Sequence, residues 1–304
     1  MKFIKSVPMA ICGLSLGLAA LGNLLLPYGA AVRYACGILS AIVLVIFALK
    51  AFADSPHAQA ELKTPIPLSV LPTSTMALML LCTYVKPFAE NVAVFVWYAA
   101  VSAHLCMMLL FFKRFLHGFK LGTVFPSWFI VFVGIVVASV TAPAMGARPI
   151  GQAAFYLGFA LYFAALALVV CRMIKVKLFP EPARPTIAIF TAPMSLCIVG
   201  YFNSFQQRNE TLVYIMLSIA VISYLYVTVM MFFLLRIKFY PTYAAFTFPY
   251  VISAIAFRLG NAFLAERGIT FFAPFAQISV WIAAAMVLYV LAHYIRFFWF
   301  WLKF

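Results

Sequence analysis

Ala245-Phe246-Thr247-Phe248-Pro249 sits inside an apolar stretch, 243–264, that is long enough to cross a lipid bilayer as one helix. Proline removes a backbone donor and clashes with the preceding turn, so the helix is interrupted at Pro249. In a bilayer the freed backbone groups must be satisfied by neighbouring helices or by water in a cavity. Working outward, the same break recurs at Pro193 in 186–204, at Pro143 in 125–145 and at Pro72 in 67–85. The stretch 7–26 carries Gly13 and Gly17 beyond an entry proline, Pro8. Between these lie 29–53, 91–112, 150–171, 211–235 and 272–297, which have prolines only at an entry (Pro149, Pro274). Ten apolar spans that alternate between broken and intact predict an inner ring of odd helices around a pore, sheathed by an outer ring of even ones.

At 304 residues the chain is 67% hydrophobic and 9% charged, with a mean hydropathy of +1.11. That balance excludes a soluble domain and predicts an all-α integral membrane protein, one transmembrane domain over 1–304. The first span runs on to Leu26 without a small-x-small cleavage site, so it reads as a crossing and not a signal peptide. Short connections on one side make successive hairpins parallel, five in tandem, unlike the inverted halves of many alternating-access carriers. The six cysteines all lie in apolar spans without a Cys-x-x-Cys and read as small packing residues; no metal site or cofactor is expected.

The net charge of +15 is distributed by side and does not signal nucleic-acid binding. The amino terminus, the connections after even spans and the carboxyl tail hold fifteen of the 21 Lys and Arg residues, Lys2 and Lys5 among them. The opposite side holds six: Arg33, Lys86, Arg148, Arg208, Arg258 and Arg267. This bias predicts a multi-pass protein of the cell membrane with both termini cytoplasmic. The tail 294–301, rich in aromatic residues around Arg296, reads as an interfacial anchor.

Asp54, Glu61, Glu90, Glu181, Glu210 and Glu266, the six carboxylates, fall in connections or at span ends. Cation pathways and proton relays commonly use intramembrane carboxylates, so the substrate expected is an anion or a neutral solute. Hydroxyls cluster near the breaks: Thr73, Ser74 and Thr75; Ser127, Ser139 and Thr141; Thr191 and Ser195; Thr247 and Ser253. Such hydroxyls either solvate an anion weakly or bond back to the chain, and the second is the commoner use. Gly134, with the prolines and glycines above, is a candidate break or pore-lining position. Arg258 is the one basic residue well inside an odd span, readable as an anion-attracting mouth residue or as an arginine that snorkels to the interface. His104 and His293 could ligate haem only if brought together, and both lie on even helices.

Several of these segments resemble the tellurite-resistance/dicarboxylate transporter family, which includes the slow-type anion channels of plant guard cells. Gly13-Leu14-Ser15-Leu16-Gly17-Leu18-Ala19-Ala20-Leu21 is similar to the family's opening Gly-Ile-Pro-Leu-Gly-Leu-Ala-Ala-Leu. Ala245-Phe246-Thr247-Phe248-Pro249 resembles its aromatic-Thr/Ser-Phe-Pro segment, and Pro126-Ser127-Trp128 and Ala192-Pro193 resemble bacterial members. The resemblance spans essentially the whole chain. It implies a homotrimer in which each protomer holds its own pore, closed at mid-depth by a phenylalanine that is Phe248 here. It implies transport of small anions, inorganic or C4-dicarboxylates such as malate, and no enzymatic activity. Ser15 stands where the family often has proline, which implies a weaker kink in the first helix. The alternatives are a proton-coupled dicarboxylate, sulfite or tellurite-related carrier, which needs a titratable group in the path, and an intramembrane haem protein or enzyme.

Overall fold

The computed structural model describes Ile4, residues 6–177 and residues 179–303, and every regular element among them is helical. Lys2 and Lys5, and the side chains of Trp301 and Lys303, lie outside the described residues. In chain order the α-helices are α1 (Cys12–Leu24), α2 (Ala30–Ala53), α3 (Ser55–Glu61), α4 (Pro65–Val70), α5 (Thr73–Val85) and α6 (Glu90–Phe115). They continue with α7 (Trp128–Val133), α8 (Val136–Thr141), α9 (Arg148–Val176), α10 (Ala192–Ser204), α11 (Glu210–Leu234), α12 (Phe248–Ala265) and α13 (Ala273–Lys303). Tight 3-10 stretches lead into α1 (Met9–Ile11), α10 (Glu181–Thr191) and α12 (Pro241–Phe246), and one follows α8 (Ala142–Met145). Among the described residues eight helical units are long and apolar enough to cross a membrane, while Met9–Leu24 and Val136–Met145 are apolar but shorter.

The two kinds of span differ in burial as their sequences suggest. Of the most apolar 18 residues, 61% are buried in Pro65–Val85, 89% in Glu181–Ser204 and 67% in Pro241–Ala265. In the uninterrupted α2, α6, α9, α11 and α13 the share is only 28–33%. The reason is one of hydrogen bonding. An unbroken helix satisfies its own backbone and can face hydrocarbon, whereas an interrupted one must keep its break inside the protein. The odd segments, of which α1 alone is a regular helix, touch one another in a closed cycle: α1 with α5, α5 with α8, α8 with α10, α10 with α12, and α12 with α1. The uninterrupted α2, α6, α9, α11 and α13 each pack against the segments that flank them.

The breaks follow local chemistry. Pro72 is the N-cap of α5, and Pro193 and Pro249 occupy the first turns of α10 and α12, where a missing N–H leaves no hydrogen bond unmade. Three positions depart from expectation, Pro143, Gly13 and Gly17, whereas Gly134 is a break as anticipated. The fifth segment breaks at Gly134-Ile135, between α7 and α8, and Pro143 instead opens the closing turn Ala142–Met145. Proline fits a first turn at no cost, so it need not break the helix behind it. A side chain on Gly134 would overlap the Ile130 carbonyl oxygen and stand 2.9 Å from Met76 Sδ. Gly13 and Gly17 interrupt nothing, since α1 is regular throughout. Gly17 instead lets α1 lie against Thr247, where a Cβ would overlap the threonine side chain. Gly17→Val should therefore lower the stability of the purified protein by about 1–3 kcal/mol, the usual cost of overpacking, read as a fall in its thermal unfolding midpoint. An unchanged midpoint would mean that the two helices separate freely.

Beyond the spans, α3 forms in the connection 54–66 and ties back to the bundle. The Glu61 carboxylate accepts the Met9 N–H at 3.1 Å, and buried Lys50 pairs with Asp54 at 2.6 Å. A carboxylate at the start of the Met9–Leu24 unit meets the positive end of its helix dipole.

Candidate permeation path

Two cavities lie along the axis of the closed cycle. The first, about 50 Å³, is lined only by the interrupted segments and their lead-in turns, among them Gly13, Thr73, Gly134, Pro193, Phe248 and Pro249. The second, about 330 Å³, opens toward the carboxyl ends of the same segments and is lined by Asn23, Thr83, Thr141 and Asn203 among apolar neighbours. Phe248 and Leu196 line both. Phe248, 6% exposed, thus stands between a narrow cavity and a wider one. Its backbone is fixed by the preceding residue. Thr247 Oγ1 donates to the Ala244 carbonyl at 2.7 Å and approaches the Gly13 carbonyl at 3.1 Å, pinning the start of α12 to α1.

The hydroxyls near the breaks are bonded back to the chain, and of them only Thr73 and Thr141 belong to residues that line either of these two cavities. Thr73, Ser74, Thr75, Ser139, Thr141, Thr191, Ser195, Thr247 and Ser253 each donate to a backbone carbonyl. Back-bonding of this kind re-satisfies carbonyls freed by helix breaks. Several also join adjacent segments. Thr73 Oγ1 lies 3.0 Å from Cys12 Sγ, Ser69 donates to Ser127 at 2.6 Å, Ser139 meets Ser204 at 2.8 Å, and Ser195 meets Ser253 at 3.0 Å. With Thr247 on Gly13, these pairs link all five odd segments in a ring. Among the described residues neither cavity is lined by a side chain that titrates, so what the axis offers a solute is apolar surface and a few amides and hydroxyls.

A protein-family model described as voltage-dependent anion channel (SLAC1) matches residues 5–295. The chain belongs to that family. The resemblance read from the first and ninth spans is thereby borne out, and with it a multi-pass membrane protein of an anion channel or transporter family. No curated protein matches the chain significantly.

Within this voltage-dependent anion channel framework the remaining candidates fall into two groups. Gly13, Thr73, Gly134, Pro193, Phe248 and Pro249 are brought together around the first cavity. Gly17, Pro72, Pro143, Ser195 and Thr247 are not among the lining residues and act through helix geometry and packing. Arg258 lines neither cavity; its Nη1 donates to the Leu24 carbonyl at 2.9 Å, at the end of α1. His104 is buried against Thr75 at 2.8 Å, while His293 sits among Phe239, Tyr243 and Tyr289, so their surroundings are separate. All six cysteines are unpaired. Leu196 was not legible as a lining residue, although its place one turn after Pro193 carries the signal: residues three apart share a helix face.

Proposed function

We propose that the chain forms an anion-conducting pore of the cell membrane, with ten crossings arranged as five tandem hairpins and Phe248 as its gate. The odd segments surround the path, the even helices face lipid, and the protein works as a homotrimer of such pores. The observation that carries this reading is the position of Phe248, which lines the cavity on each side of it at the axis of the closed cycle. A hydrophobic ring across a tube blocks by shape and by excluding water. Small inorganic anions and C4-dicarboxylates pass when the ring turns aside, driven by their own gradient. A proton-coupled carrier needs a group that titrates along the path, and the cavity linings supply none. Arg258 contributes positive charge at the outer mouth.

Flux from proteoliposomes tests the reading directly. Chloride, nitrate, sulfite and malate are each loaded inside, and release is compared with protein-free vesicles; release of none of them would refute an anion pore. Orientation is checked separately. Reporter fusions after Lys120 and Lys177 should read cytoplasmic, and fusions after Arg148 and Arg208 external, as the fifteen-to-six basic asymmetry requires. Reversed signals at either pair would overturn the ten-crossing arrangement.

A further inference from the structure

Every odd segment ends in carbonyls that α-helical geometry leaves unbonded, at the negative end of its dipole. Left alone, five such ends around one mouth would repel an anion. In this protein each of them is met by a basic side chain. Arg258 donates to Leu24 O at 2.9 Å, Arg33 to Thr83 O at 3.1 Å, Arg208 to Phe202 O at 3.0 Å and Arg267 to Phe263 O at 2.9 Å, and Lys86 donates to Ala144 O. Lys86 and Arg267 also pair with carboxylates, at 3.2 Å to Glu90 and 2.6 Å to Glu210. Arg33, Arg208 and Arg258 have no carboxylate partner among the described residues.

Those three stand directly behind the wider cavity. Arg33 holds Thr83 O, and its Nε donates to Asn23 Oδ1 at 3.1 Å; both residues line the cavity. Because Oδ1 accepts from the arginine, the Asn23 amide NH2 is left as the donor for the cavity side. Arg208 and Arg258 bond the backbone next to the lining residues Asn203 and Asn23. We propose that the 330 Å³ cavity is an anion-collecting vestibule. In it Arg33, Arg208 and Arg258 cancel the helix-end dipoles and supply the positive field, and the Asn23 amide, oriented by Arg33, makes the contact. Its ligands are small inorganic anions and short carboxylates. This deepens the pore reading above and places the site at the pore's outer mouth.

A reagent-rate experiment tests the vestibule without requiring conduction. Asn203→Cys is modified from outside by an anionic and by a cationic methanethiosulfonate, and the ratio of rates is compared with that for a free thiol. Three charges at a confined mouth should favour the anionic reagent about tenfold at low ionic strength, and much less at about 1 M salt, where the Debye length is about 3 Å. Replacing the three arginines together by glutamine should abolish the preference, while lysine at the same positions should keep most of it and show that charge, not folding, is read. A ratio equal to that of the free thiol in the parent overturns the proposal, and so does a preference that survives all three glutamines. Anion flux measured on the same preparations separates the two readings: flux with no rate preference leaves the pore standing without its vestibule, and preference without flux does the reverse.

Discussion

Phe248→Ala should raise anion conductance by at least about tenfold, the equivalent of lowering the barrier by roughly 1.4 kcal/mol, and should leave cations excluded. The ring is the larger of the two side chains, with Leu196, that line both cavities, and deleting it should join them without adding charge. Phe248→Leu should fall between the parent and the alanine variant. A phenylalanine packed on all sides costs about 3–5 kcal/mol when truncated to alanine. One flanked by open space gives up fewer contacts, so the thermal midpoint of Phe248→Ala should fall by much less than that figure implies. Current recorded in a planar bilayer, with protein quantity matched, makes the comparison. If the variant stays folded and conducts no better than the parent, Phe248 is a packing residue and the gate must be sought elsewhere.

Leu196→Glu, made in the Phe248→Ala background, should do the opposite. Leu196 is the other residue on the lining of both cavities, and no Asp or Glu lies among the linings. A carboxylate about 5 Å from a passing anion at an effective dielectric near 20 raises its energy by about 3 kcal/mol, on the order of a hundredfold in rate. A buried carboxyl resists ionisation, so the block should deepen as pH rises and the group gives up its proton. Leu196→Gln has nearly the same shape without the charge and should retain most of the current. Equal loss in the glutamine variant at every pH would mean that shape, not charge, governs passage at this level.

What was legible in the sequence was local. Proline acts on the backbone wherever it stands, so the breaks at Pro72, Pro193 and Pro249 could be read directly, and the greater burial of those three segments follows them; Gly13 and Gly17, read the same way, interrupt nothing. The fifth segment shows the limit. Both Pro143 and Gly134 stood as candidate breaks, and the chain breaks at Gly134; the neighbours that leave no room for a side chain there, Met76 and His104, come from other helices and could not be read. The hydroxyls were visible, but their destinations were not. Ser139 meets Ser204 and Ser195 meets Ser253 across 65 and 58 residues of chain, through a helix register that a single sequence does not declare. Arg258 stood out because it lies inside a span. Arg33 did not, because it belongs to an even helix and reaches the odd ones only by its length.

The ring of hydroxyl bonds has a consequence in the time domain. With the five segments stapled to one another and Thr247 holding the backbone beside it, the gating proposed for Phe248 calls for a turn of its side chain and not for a motion of helices. Rotamer changes of side chains run from picoseconds to nanoseconds, and a confined ring that must displace neighbours is slower, yet still far quicker than helix motions on the scale of microseconds to milliseconds. An amplifier with kilohertz bandwidth would average such flicker into a steady, reduced current and would not resolve discrete steps. Regulation would then appear as a graded change in mean current, set by the fraction of time the ring spends aside. Long, well-separated openings in single-molecule records would instead mean that the staples themselves give way.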